Sequence, residues 1–286
     1  MRREKSLIHH RSIPMEERAG CKRANGLALS LASDNIDLWF TFYEEIPHGG
    51  TLDRYRSLLT EAERLREAQF YFPQDRIRYL VTRALVRTVL SRYVGLEPER
   101  WRFEVNAFGR PSVANKHNGA AQISFNLSHT SSLIMLGVTQ GHSLGVDTEN
   151  VMRRKPPLDA ATHYFSSIEI AALAELPPQV RSSRFWEYWT LKESYIKAKG
   201  TGLSTALNEF GFVLSASADL NITFTRKSGD QADGWRFWQI QPHPEYLAAV
   251  CVQRNVCAPQ HLTTRRIVPL ESEEHIHCSI LRKSNP

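Results

Sequence analysis

At 286 residues, with 42% hydrophobic residues and ordinary Gly and Pro content, the chain can bury the core of one large domain or two lobes, which excludes a disordered or fibrous protein. Its net charge of +6 favours anionic partners, although residues 1–24 hold seven Lys/Arg against three Glu and so carry part of that surplus. Four cysteines without Cys-x-x-Cys pairing, no apolar run near the roughly 20 residues of a membrane span, and no apolar stretch behind the N-terminal charges predict free thiols in a cytoplasmic protein with no membrane partner.

Residues 1–26 show no periodicity and read as a poorly ordered basic leader. Ile36–Phe42 reads as a strand. Thr60 and Glu63 have the spacing of a capping box, so a helix starts at Thr60 and ends before Pro73. A second helix is predicted from Asp75, where Ile77, Leu80, Val81, Ala84 and Leu85 recur at helical period. Short strands follow at Trp101–Val105, Ile123–His129 and Leu133–Val138, with a turn at Phe108–Pro111. Leu144–Glu149 opens another round, continued by a helix-rich stretch over 157–176, a long helix around Arg184–Lys199, and strands near 210–214, 222–226, 235–240 and 247–252. This order predicts an α+β protein with an N-terminal lobe over 27–142, a C-terminal lobe over 143–254, and a C-terminal extension over 255–286 that is a tail or a wrap-around segment.

Three features carry chemistry. In a strand, Asp147 and Glu149 share one face and Thr148 takes the other. In a helix, Glu193 and Lys197 lie four apart on one face. Together they supply three acids and a lysine, the makeup of a site that holds a divalent cation against a phosphate. Ser128-His129 is open to three readings: a strand end, a nucleophile with its base, or a phosphate contact. A serine hydrolase is disfavoured, because Ser128 lies in no Gly-x-Ser-x-Gly elbow.

Taken in order, Phe125-Asn126-Leu127-Ser128-His129, Gly145-Val146-Asp147-Thr148-Glu149 and Trp189-x-x-Lys192-Glu193-Ser194-x-x-Lys197-x-x-Gly200-x-Gly202-Leu203 resemble the 4′-phosphopantetheinyl transferases of the surfactin-synthetase-activating type. Gly109-Arg110-Pro111 matches that family's Gly-Lys-Pro turn, and the resemblance covers about residues 35–253. It implies a monomer of two similar α+β lobes related by pseudo-twofold symmetry, each a small mainly antiparallel sheet packed with helices, with the active site between them. It further implies transfer of the phosphopantetheine arm of coenzyme A to a serine of an apo acyl or peptidyl carrier protein, with Mg²⁺ as cofactor, Mn²⁺ able to replace it, and no nucleic-acid partner.

Residue by residue, the resemblance makes Asp147, Glu149 and Glu193 metal ligands, with Glu193 also a candidate base. Lys197 becomes a catalytic pyrophosphate contact. Ser128, His129, Gly109, Arg110, Arg66 and Arg78 become coenzyme A contacts, with Arg110 replacing the usual lysine. Glu63 stands where some relatives are basic, which weakens a 3′-phosphate role for that helix. The basic triplet Arg153-Arg154-Lys155, with Leu158, Tyr164 and Phe165, reads as a docking surface for an acidic carrier helix.

Overall fold

The computed structural model describes residues 29–47, 49–116, 119–153, 155–215, 219–224, 231–254 and 260–284. The leader over 1–26 and Arg154 lie outside the described residues. The N-terminal part runs β1 (Asn35–Phe42), α1 (Gly50–Ser57), α2 (Glu61–Ala68), α3 (Pro73–Leu90), β2 (Phe103–Val105), β3 (Pro111–Val113), β4 (Ile123–Thr130) and β5 (Leu133–Gln140). Then follow β6 (Leu144–Asn150), α4 (Ala161–Tyr164), α5 (Ser167–Glu175), α6 (Pro178–Lys199), β7 (Phe210–Leu214), β8 (Asp219–Phe224), β9 (Trp235–His243) and β10 (Tyr246–Gln253). The chain closes with β11 (His261–Val268), β12 (Ser272–His275) and β13 (Ser279–Ser284).

The fold is α+β, with one five-stranded sheet in the order β12-β11-β1-β5-β4 and one six-stranded sheet in the order β6-β10-β9-β13-β8-β7. Pairing is antiparallel except for β1 with β11 and β8 with β13. Strand alternation lets each sheet serve two cores. Trp39 of β1 and Leu136 of β5 face α3 and its neighbours, while Leu38, Phe40 and Met135 face Val146, Trp238 and Val250 of the other sheet. The two sheets thus pack face to face through an apolar layer, and α6 covers the far side of the second one through Phe185, Tyr188 and Tyr195.

The expected Thr60–Glu63 capping box is present. The next helix opens at Pro73 rather than Asp75, because the fixed φ and missing N–H of proline suit the first helical position. The same chemistry starts α6 at Pro178, six positions ahead of the expected Arg184. Residues 260–284 supply strands to both sheets, with β11 alongside β1 and β13 between β9 and β8.

Candidate active site

The site forms where the edge strands of the two sheets, β4 and β6, come side by side and α6 crosses behind β6. Gly145 permits that crossing: a Cβ there would stand 2.0 Å from the Ser194 carbonyl oxygen and 2.3 Å from the Ala198 nitrogen. Asp147 and Glu149 share the Gly145 face by alternation, so they look toward Glu193 and Lys197 on α6. Thr148 points the other way, where its hydroxyl donates to the Leu247 carbonyl.

β4 and β6 are joined by side chains of one strand acting on the backbone of the other. The Val146 N–H donates to Asn126 Oδ1 at 2.9 Å, the Thr148 N–H to Ser128 Oγ at 3.2 Å, and the Asn150 N–H to Thr130 Oγ1 at 3.2 Å. Alternate residues of β4 therefore satisfy alternate amides of an edge strand that would otherwise be left open. From the sequence no role falls to Asn126, which appears only within the family motif, or to Thr130, since polar residues at every second position also describe a solvated strand face.

Ser128 links this seam to the charged cluster. Its hydroxyl donates to Asp147 Oδ1 at 2.9 Å, and Lys197 Nζ donates both to Ser128 Oγ at 3.0 Å and to Asp147 Oδ1 at 2.6 Å. A cavity of about 380 Å³ is lined by Leu127, Ser128, His129, Asp147, Thr148, Glu149, Trp189, Glu193 and Lys197. Six residues expected at the site thus share one chamber. Burial and the negative charge of Asp147, opposed by Lys197 and reinforced by Glu149, push Glu193 up to about 7. Enclosure in the cleft, with Arg78 and Lys197 nearby, holds His129 below the ordinary imidazole range although the residue as a whole is exposed.

As arranged, no three His, Cys, Asp or Glu side chains among the described residues stand close enough to share one ion. The donor set nonetheless fits a hard cation. Asp147 Oδ2 is buried with no hydrogen-bond partner, and three carboxylates line a chamber that contains one lysine. Mg²⁺ in particular is commonly held by one or two carboxylates with waters and substrate phosphates, and seldom by an all-protein cage.

Two further chambers flank this one. On one side, about 400 Å³ is bounded by Phe108, Gly109, Arg110, Leu127, Tyr164 and Trp189 and shares Glu193 and Lys197 with the central chamber. On the other, Arg78, His129, Glu149 and Arg153 border a polar hollow. The cleft therefore passes from an apolar end, through the acids and lysine, to a polar end where Arg78 and Arg153 stand among Glu44, Asp75 and Glu149.

A sequence profile described as the 4′-phosphopantetheinyl transferase superfamily matches residues 143–251, and one described as 4′-phosphopantetheinyl transferase, N-terminal, matches residues 46–140. A 4′-phosphopantetheinyl transferase of Bacillus subtilis is 30% identical over 206 residues, spanning 71% of this chain and 85% of that one. The chain belongs to the 4′-phosphopantetheinyl transferase family. The transferase HetI of a Nostoc species is 29% identical over 78% of this chain and 90% of its own. The transferase Sfp of Bacillus subtilis strain 168 is 28% identical over 70% and 84%. A solved holo-[acyl-carrier-protein] synthase of Thermotoga maritima overlaps 40% of this chain and 63% of that one at 20% identity and a TM-score of 0.33, too partial an overlap to bear on the fold.

In this transferase, the remaining expected contacts are placed unevenly. Arg66 is on α2, bonded to Gln69 and stacked over Phe70, and borders none of the three chambers. Arg78 borders the polar end and pairs with Asp75 at 2.7 Å. Gly109 takes φ +81 in the turn that precedes β3. Arg110 turns its guanidinium onto the C-terminus of α6, donating to the carbonyls of Lys197, Ala198 and Leu144 at 2.6–3.0 Å. Glu63 on α2 is bound by Arg83 and the buried Arg87 of α3. Lys192, part of the recognised motif, is fully buried against Glu169 at 2.8 Å and donates to the carbonyls of Leu207 and Phe210. Its motif position is structural.

Proposed function

We propose that this chain transfers the 4′-phosphopantetheine group of coenzyme A to a serine of an apo acyl or peptidyl carrier protein, with Mg²⁺ dependence and release of adenosine 3′,5′-bisphosphate. The observation that carries the reading is the convergence of Asp147, Glu149, Glu193 and Lys197, with Ser128 and His129, in one chamber.

Asp147, Glu149 and Glu193 would hold the metal, which when bound neutralises pyrophosphate charge as the carrier serine attacks phosphorus. Lys197 sits to contact the same pyrophosphate, and its charge stabilises the departing bisphosphate as the P–O bond breaks. Glu193 is the candidate base for the serine proton, directly or through a water; its value of about 7 is that of the metal-free site, and coordination to a cation would lower it. His129 and Arg78 at the polar end would contact the nucleotide phosphates, Arg78 exchanging its pair with Asp75, and the aromatic end offers Phe108 and Trp189 to uncharged parts of the donor. Arg110 spends three hydrogen bonds on carbonyls, so its contribution includes holding the turn against α6.

For the carrier, Tyr164 and Leu158 are partly exposed and available to dock an acidic helix, whereas Phe165 is core. That removes Phe165 from the expected docking surface: its ring packs on Phe185 and Tyr188.

The test is direct. Incubated with coenzyme A, Mg²⁺ and a panel of apo-carriers, the protein is expected to add one phosphopantetheine mass to at least one carrier, and excess chelator is expected to stop it. Mass gain undiminished in chelator would remove the metal assignment, and no gain on any carrier would remove the activity.

A further inference from the structure

Ser128 and Thr130 are two residues apart on β4, and each hydroxyl does the same two things. Ser128 Oγ accepts from the Thr148 N–H at 3.2 Å and donates to Asp147 Oδ1 at 2.9 Å. Thr130 Oγ1 accepts from the Asn150 N–H at 3.2 Å and donates to Glu149 Oε2 at 3.4 Å. In both cases the amide belongs to the residue that follows the acid. The unit repeats with the two-residue period of the strands, so β4 presents a matched pair of hydroxyls to the two acids of β6.

We infer that Thr130 is a positioning residue that orients the Glu149 carboxylate, as Ser128 orients Asp147; this rests on the reading of those acids as metal ligands. A hydroxyl anchored by an amide has one of its two lone pairs engaged and its proton left to donate to the acid, so it fixes one carboxylate oxygen and aims the other. Hydroxyls or amides behind carboxylate ligands set ligand orientation, and their loss typically weakens metal affinity by about 10- to 100-fold. Thr130 also borders the polar hollow with His129 and Arg78. It therefore joins β4 to β6 at the point where the central chamber meets that hollow, and a β4 displaced along β6 would disturb both acids at once.

The experiment compares wild type, Thr130→Ser and Thr130→Val by Mn²⁺ titration in the presence of coenzyme A, with free Mn²⁺ read from its paramagnetic resonance signal. Thr130→Val is expected to weaken Mn²⁺ binding by about tenfold or more, and Thr130→Ser, which keeps the oxygen, to bind as wild type does. Transfer assays add a second readout. The Mg²⁺ concentration for half-maximal rate is expected to rise in Thr130→Val, with kcat at saturating Mg²⁺ falling less than the apparent metal affinity. If Thr130→Val does not fold, Thr130→Ala removes the same oxygen without apolar bulk and takes its place. Wild-type Mn²⁺ affinity in the hydroxyl-free variant would overturn the inference, as would an equal loss in Thr130→Ser. A wild-type protein that binds no Mn²⁺ would overturn the metal reading itself, an outcome distinct from either.

Discussion

Glu193 is the residue whose charge state most depends on its neighbours. Its folded value of about 7 lies above its ordinary 4.5, so between those values the folded state holds a proton that the unfolded chain has lost. Its contribution to stability is therefore complete below about pH 4.5 and is lost as pH rises through 7. In metal-free protein, the unfolding temperature is expected to fall across that window more steeply in wild type than in Glu193→Gln; identical profiles would show that Glu193 carries no such shift. The buried Glu169–Lys192 pair predicts a different response. Removing one partner leaves an uncompensated charge where neither side chain touches solvent. Lys192→Met is thus expected to cost about 3–5 kcal/mol in urea unfolding. A loss below about 1 kcal/mol, the scale of a surface pair, would contradict the burial.

At the scale of elements, β6 and α6 depend on how closely they approach. Gly145→Ala would place a methyl group against the backbone of α6 at Ser194 and Ala198, and backbone cannot step aside as a side-chain tip can. The substitution is expected to destabilise by at least the roughly 1–3 kcal/mol of an overpacked core. It should also reduce transfer, because the face carrying Glu193 and Lys197 is pushed off the face carrying Asp147 and Glu149. Full activity with an unchanged unfolding midpoint would mean that the helix has room to move. The two faces were legible in the sequence because strand and helix periods are local properties: Asp147 with Glu149, and Glu193 with Lys197, needed only the repeat of their own element. The seam between β4 and β6 was not legible in that way. Its rungs join residues 20 positions apart through side chain and amide, and nothing in Asn126-Leu127-Ser128-His129-Thr130 announces which strand will lie beside it. Arg110 was placed by family pattern at the nucleotide, yet its bonds to α6 carbonyls arise from tertiary proximity that the Gly-Arg-Pro turn does not encode.

Across the whole molecule, the segment after residue 255 shows how far pairing can lie from local signal. His261–Val268 holds Thr263, Thr264, Arg265 and Arg266 in its middle and has too few apolar residues to read as a core strand. It joins the first sheet by running parallel to β1, more than 200 residues away, with Arg265 paired to the buried Asp37 at 3.1 Å and Thr41 donating to the Ile267 carbonyl. β13 lies inside the other sheet, so β8 and β7 reach β9 only through it. A chain ending at residue 259 would expose one side of β1, remove the Arg92–Glu273 ion pair, and strip a central strand from the second sheet. Open strand edges of this kind seek other partners. The truncated protein is expected to be aggregated or largely unfolded by size-exclusion chromatography and circular dichroism, and to lose carrier modification with its fold. If it elutes and unfolds as the full chain does, the last three strands are dispensable and the two sheets are held by β4, β6 and the apolar layer between them.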